Sequence, residues 1–132
     1  MSPKNIIAKI LFASYLIAVG ILCFIHTDKI PDMQKMIFGI PTDKVAHFIM
    51  FFPFPILALV SFGTITRTPW HSFIFATIVF LAGIILAVGT ELGQGLTGYR
   101  SAESADLFAD GLALAISSII VLIIDLRKQF GK

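Results

Sequence analysis

Residues 72–96, SFIFATIVFLAGIILAVGTELGQGL, carry no charged side chain before Glu91. At about 1.5 Å per residue, a helix of this length crosses the roughly 30 Å of bilayer hydrocarbon. A helix on a water-soluble core would show a polar face every few residues. This stretch shows none until its last turns, so it reads as a membrane span. Three further runs are comparably apolar: Val45 to Phe62, which is free of Lys, Arg, Asp and Glu, Ile6 to Ile25, interrupted by Lys9, and Ala105 to Leu126, interrupted by Asp106, Asp110 and Asp125.

The composition excludes the alternatives. Of the 132 residues, 57% are hydrophobic and 14% charged, thirteen are Phe, and the mean hydropathy is +0.92. Such a chain has too little polar surface to cover a soluble core. The net charge of +2, on scattered Lys and Arg, gives no footprint for nucleic acid. Cys23 is alone, so there is no disulfide framework, and its apolar surroundings suit a packing thiol. The first run resembles a secretory signal but is longer than a signal core. Phe24, Ile25 and His26 offer no small-residue cleavage pattern, so it is expected to stay as a helix.

The expected fold is therefore all-α: one integral membrane domain over residues 1–132, with a four-helix transmembrane bundle spanning about 5–26, 44–62, 71–97 and 104–126. Lys9 lies one turn inside the first span and reaches the interface by its flexible stem. Pro53 and Pro55 are expected to kink or unwind the second span. Between the first two spans, Ile30, Met33, Met36, Ile37 and Phe38 alternate with Asp28, Lys29, Asp32 and Lys35, the pattern of a short segment lying in the interface. Ser104 is expected to cap the fourth helix. Gly89 and Gly93, four apart, suit close helix approach and also allow a homo-oligomer. Trp70 and Tyr99 fall at opposite membrane surfaces, as an aromatic belt requires.

Basic residues set the expected orientation. The side holding both termini carries six, Lys4, Lys9, Arg67, Arg127, Lys128 and Lys132, and the other carries four, Lys29, Lys35, Lys44 and Arg100. Both termini are thus expected in the cytoplasm. Acidic residues sort more sharply: Asp28, Asp32, Asp43, Glu91, Glu103, Asp106 and Asp110 all fall on the opposite, extracytoplasmic side, and only Asp125 does not.

Topology brings a subset of these together. Asp43, Lys44 and His47 open the second helix, Glu91 and Gln94 close the third, Arg100 lies in the following loop, and Asp106 and Asp110 open the fourth. The second helix begins where the third ends and the fourth begins, so all eight are expected at one level of the membrane. Asp110 lies roughly 9 Å below the start of its helix and is expected to face the bundle interior, since ionisable groups at that depth are costly against lipid. Asp43, Glu91, Asp106 and Asp110 outnumber Lys44 and Arg100. Balance requires a protonated carboxyl, a charged His47 or a bound cation.

Three segments, Asp43-Lys44-Val45-Ala46-His47-Phe48, Glu91-Leu92-Gly93-Gln94, and Arg100 followed by Asp106-Leu107-Phe108-Ala109-Asp110, resemble the VanZ-like family of membrane proteins in order and spacing. The resemblance covers about Lys35 to Ala115. The family often has Asn where Asp110 stands and Gly where Ala113 stands. The resemblance implies a cell-envelope protein, and members are associated with resistance to glycopeptide antibiotics such as teicoplanin.

The expected ligand is a lipid head group or a lipid-linked cell-wall intermediate, or a glycopeptide. Arg100 would pair with phosphate or carboxylate, Lys44 would add a point charge, and Gln94 would bond sugar or peptide. The remaining ligand-side residues are Asp43, His47, Glu91, Asp106 and Asp110. Two other readings stay open. In one, His47 and Asp43 form an oriented base, with Glu91, in a membrane enzyme of phosphoryl or acyl transfer or hydrolysis. Its metal, if it used one, would be a divalent cation among Asp43, His47, Glu91, Asp106 and Asp110; the H-E-x-x-H pattern is absent. In the other, the cluster is an ion-pair network that pins the helices together. A proton or solute path is disfavoured, because the opposite half offers only Lys9 and Asp125.

Overall fold

The computed structural model describes residues 3–25, 36–98 and 101–131. Its helices are α1 (Pro3–Phe24), α2 (Thr42–Phe51), α3 (Pro53–Phe62), α4 (Pro69–Leu96) and α5 (Ser104–Phe130), with a two-stranded hairpin, β1 (Met36–Ile37) and β2 (Ile40–Pro41), ahead of α2. α2 and α3 run end to end, so four spans cross the membrane: Pro3–Phe24, Thr42–Ile65, Pro69–Leu96 and Ser104–Phe130. Exposed Ile7, Ile10, Ile17, Ile21, Ile78, Ile85, Leu92 and Ile119 turn outward around the bundle. In water this surface would be prohibitive; in a bilayer it is the lipid face.

The observed helices depart from the expected bounds in ways the chemistry explains. The second span breaks at Phe52, because Pro53 and Pro55 lack N–H groups and cannot donate to the preceding turn. Phe52 keeps helical dihedrals and the chain restarts at once, so the break is short. The Tyr15 hydroxyl of α1 donates to Met50 O at 2.6 Å close to the break and ties α1 to it. α4 starts earlier than expected, because Thr68 caps it by accepting from His71 N and Pro69 takes the first helical position. It stops where Gly98, at φ 78°, takes the left-handed conformation. α5 continues to Phe130, with Arg127 and Lys128 in its last turn opposing the negative end of the helix dipole.

Packing follows small and aromatic residues. α5 lies between α4 and the α2–α3 pair, and α1 packs on α3 through Phe12, Phe54 and Phe62. Val19, Cys23, Phe51, Phe54, Ala58, Val79, Ala87, Ala113 and Leu114 form the apolar core. The buried Cys23 matches the expected packing thiol. A Cβ on Gly83 would meet Leu114 at 2.5 Å and one on Gly93 would meet Phe24 at 2.7 Å, whereas one on Gly89 would meet nothing within 4 Å. Close approach thus belongs to Gly83 and Gly93, and Gly89 does not share in it. Lys9 Nζ sits 5.4 Å from the centre of the Phe62 ring, on the way to the interface.

The segment expected at the interface is a β-hairpin over Met36–Pro41 where it is described; residues 26–35 lie outside the described residues. Phe38 at φ 52° and Gly39 at φ 79° make its two-residue turn, the geometry that suits right-handed strand twist. Met36, Ile37, Phe38 and Ile40 are all exposed.

Candidate functional site

The first turns of α2, the last turns of α4 and the first turns of α5 converge at one end of the bundle, as topology requires. There Lys44 Nζ lies 2.8 Å from Asp43 Oδ2, 2.5 Å from Glu103 Oε2 and 2.5 Å from Asp106 Oδ1. The contact with Asp106 is an ion pair rather than a directed hydrogen bond. One turn deeper, His47 Nδ1 is 3.0 Å from Asp110 Oδ1 and Nε2 is 3.6 Å from Asp106 Oδ2. Glu91 Oε1 accepts from the backbone N–H of Glu103, tying the end of α4 to the start of α5.

Burial grades the site. His47, Glu91, Gln94, Asp106 and Asp110 are all buried, Asp110 completely, while the side chains of Asp43 and Glu103 are a quarter and a half exposed. The site therefore opens at the helix ends, at a membrane surface, and closes toward the core. Glu91 Oε2, Gln94 Oε1 and Asp110 Oδ2 are buried with no hydrogen-bond donor among the described residues. Leaving such acceptors unmet costs about 1–3 kcal/mol each.

Seven of the eight expected residues are described, and six of them form the cluster. Gln94 is the exception: its Nε2 donates to Cys23 O of α1 at 2.7 Å, so its amide nitrogen ties α4 to α1. Arg100 lies outside the described residues, as does Tyr99. The carboxylate that orients His47 is Asp110 and not Asp43. Asp43 and His47 share a helix face, but Asp43 lies nearer the surface, where the adjacent Lys44 ammonium takes it. Ser104 is not the cap of α5; it is the first helical residue, and Glu103 occupies the capping position with no side-chain cap bond.

Two features were missed. Glu103 joins the site through both its carboxylate and its amide, and its position next to the start of α5 was the available signal. At the opposite end, buried Asp125 accepts from Ser72 Oγ at 2.6 Å and Thr66 Oγ1 at 3.1 Å, while Gln129 Nε2 donates to Thr66 O. Asp125 stands on the buried face of α5 that also carries Asp106, Asp110 and Ser117, but fully buried Ala113 and Leu114 interrupt that file. The interruption separates the two polar ends of the bundle.

No family model, no curated protein and no solved structure matches this chain.

Proposed function

We propose that the chain is a VanZ-like cell-envelope protein that binds the polar head of a lipid, or of a lipid-linked cell-wall intermediate, at the extracytoplasmic face of the membrane. The observation that carries the reading is the pairing of the hairpin with the pocket. Phe38 is fully exposed and holds a positive φ, a conformation that Asn or Gly adopts more readily. Neither packing nor backbone preference explains a Phe there; contact with acyl chains does. The hairpin leads directly into α2, whose first turns carry Asp43, Lys44 and His47. An apolar tip that favours lipid therefore stands beside a pocket rich in buried acceptors.

Those acceptors favour a head group with donors: sugar hydroxyls, peptide amides or an ammonium. Lys44 is already held by three carboxylates, so an anionic phosphate falls to Arg100 or to a cation bound in the pocket. Glycopeptide tolerance would follow from capture of the intermediate, and the excess of basic residues on the terminal side supports the stated orientation. Native mass spectrometry of the detergent-solubilised chain tests this. With phospholipids and a polyprenyl-diphosphate-linked sugar peptide as probes, the wild type is expected to retain one of them, and Glu91→Ala to lose it while melting as a folded protein. Wild-type chains that retain none of the probes would remove the head-group reading.

The His47–Asp110 pair favours a second reading, since a carboxylate on one imidazole nitrogen prepares the other for proton transfer. On that reading the purified chain with added divalent ions turns over a lipid-linked substrate by phosphoryl or acyl transfer, and His47→Ala abolishes turnover. No product under those conditions removes it.

A further inference from the structure

Two groups of possible metal ligands lie side by side in this cluster, and a cation already fills one of them. In the outer group, Asp43, Glu103 and Asp106 offer oxygens within 4.8 Å of one another. The Lys44 ammonium sits among them at 2.8, 2.5 and 2.5 Å, so that position is taken. In the inner group, His47, Glu91 and Asp106 offer one ligand atom each, again within 4.8 Å of one another, and all three residues are buried. Lys44 reaches this group only through Asp106. Glu91 Oε2 is buried without a donor, and so is the second oxygen of Asp110. Buried carboxylates left in this state are strongly unfavourable.

The imidazole adds an independent pointer. Asp110 Oδ1 holds His47 Nδ1 at 3.0 Å, while Nε2 turns toward Asp106 Oδ2 at 3.6 Å. A carboxylate on one ring nitrogen fixes the tautomer whose other nitrogen offers its lone pair to a metal, and raises its basicity. Ligand atoms bonded to one ion at about 2.0–2.2 Å stand roughly 3–4.4 Å apart. The inner group needs at most a slight closure to reach that spacing.

We propose that His47 Nε2, Glu91 and Asp106 bind a single divalent cation, with Asp110 as the carboxylate that orients His47. Two carboxylates with one imidazole suit manganese or zinc better than calcium, which favours an all-oxygen shell. Three protein ligands leave coordination positions for water or for an oxygen donated from the membrane surface. The assignment stands independently of the head-group reading.

The full chain in detergent or nanodiscs, stripped with chelator, is titrated with Mn²⁺ by electron paramagnetic resonance and with Zn²⁺ by displacement. One Mn²⁺ per chain is expected, displaced by Zn²⁺. Glu91→Gln and His47→Gln should weaken binding by roughly 100-fold or more, and Asp110→Asn by about 10–100-fold. The amide oxygen that Glu91→Gln introduces can still accept the Glu103 N–H, so this variant without metal should melt no lower than metal-free wild type. The absence of a saturable site on the wild type would overturn the proposal, as would unchanged affinity in Glu91→Gln. Binding that survives Glu91→Gln and disappears in Glu103→Gln would place the ion in the outer group and overturn it equally. Lipid retention measured in chelator separates the two proposals: a lipid adduct without a metal site leaves the head-group reading intact, and a metal site without an adduct leaves this one.

Discussion

Lys44 is the residue on which the surface half of the cluster turns. Its ammonium is shared by Asp43, Glu103 and Asp106, so removing it leaves three neighbouring carboxylates facing one another. Lys44→Ala is therefore expected to destabilise the detergent-solubilised chain by about 1–3 kcal/mol, below the roughly 3–5 kcal/mol of a fully buried pair because the site is partly open to solvent. Thermal unfolding checks it, and Lys44→Arg should recover most of the loss. The composition of this cluster was legible in the sequence because helix termini on one side of a membrane must meet. Its pairing was not. Whether Asp43 or Asp110 holds His47 depends on relative depth and on which carboxylate the lysine takes, and neither follows from spacing along a single helix.

Among the elements, α4 and α5 owe their close contact to Gly83, which leaves room for Leu114 and Phe54. Gly83→Val should cost about 1–3 kcal/mol by overpacking, whereas Gly89→Ala, which meets nothing, should leave the melting temperature unchanged or slightly raised. Measuring the two variants side by side isolates packing from helix propensity. The four spans themselves could be read directly, since apolar runs of this length with so few charges fit a membrane span, and the break at Pro53 followed from the missing N–H. The hairpin over Met36–Pro41 could not. The charged residues that precede it, Asp28, Lys29, Asp32 and Lys35, make the whole stretch fit a short amphipathic segment, and the strand pairing depends on a turn in which Phe38 adopts a conformation that its own preferences oppose. Phe38→Gly should therefore preserve the turn while weakening attachment of a lipid probe, a result that separates the tip's contact with membrane from its role in folding.

At the level of the whole molecule, the bundle keeps polar chemistry at its two ends and seals them apart with Ala113, Leu114 and the core around them. The Asp125 end is hydrogen-bonded by Ser72 and Thr66 and serves to join α4, α5 and the chain after α3. Among the described residues, the His47 end has more carboxylate than cation and keeps buried acceptors without donors. The proton-transfer and metal proposals require that α2 and α5 bring His47 and Asp110 together inside the membrane, and the head-group pocket rests on the same convergence of helices. Magic-angle-spinning NMR on the wild-type chain in lipid bilayers, with ¹⁵N-labelled His and ¹³C-labelled Asp and Glu, measures this directly. A dipolar contact between the His47 imidazole nitrogens and the carboxyl carbons of Asp110 and Asp106, assigned by its loss in His47→Gln, is predicted. A spectrum in which His47 shows no carboxyl carbon within hydrogen-bonding range would contradict the account.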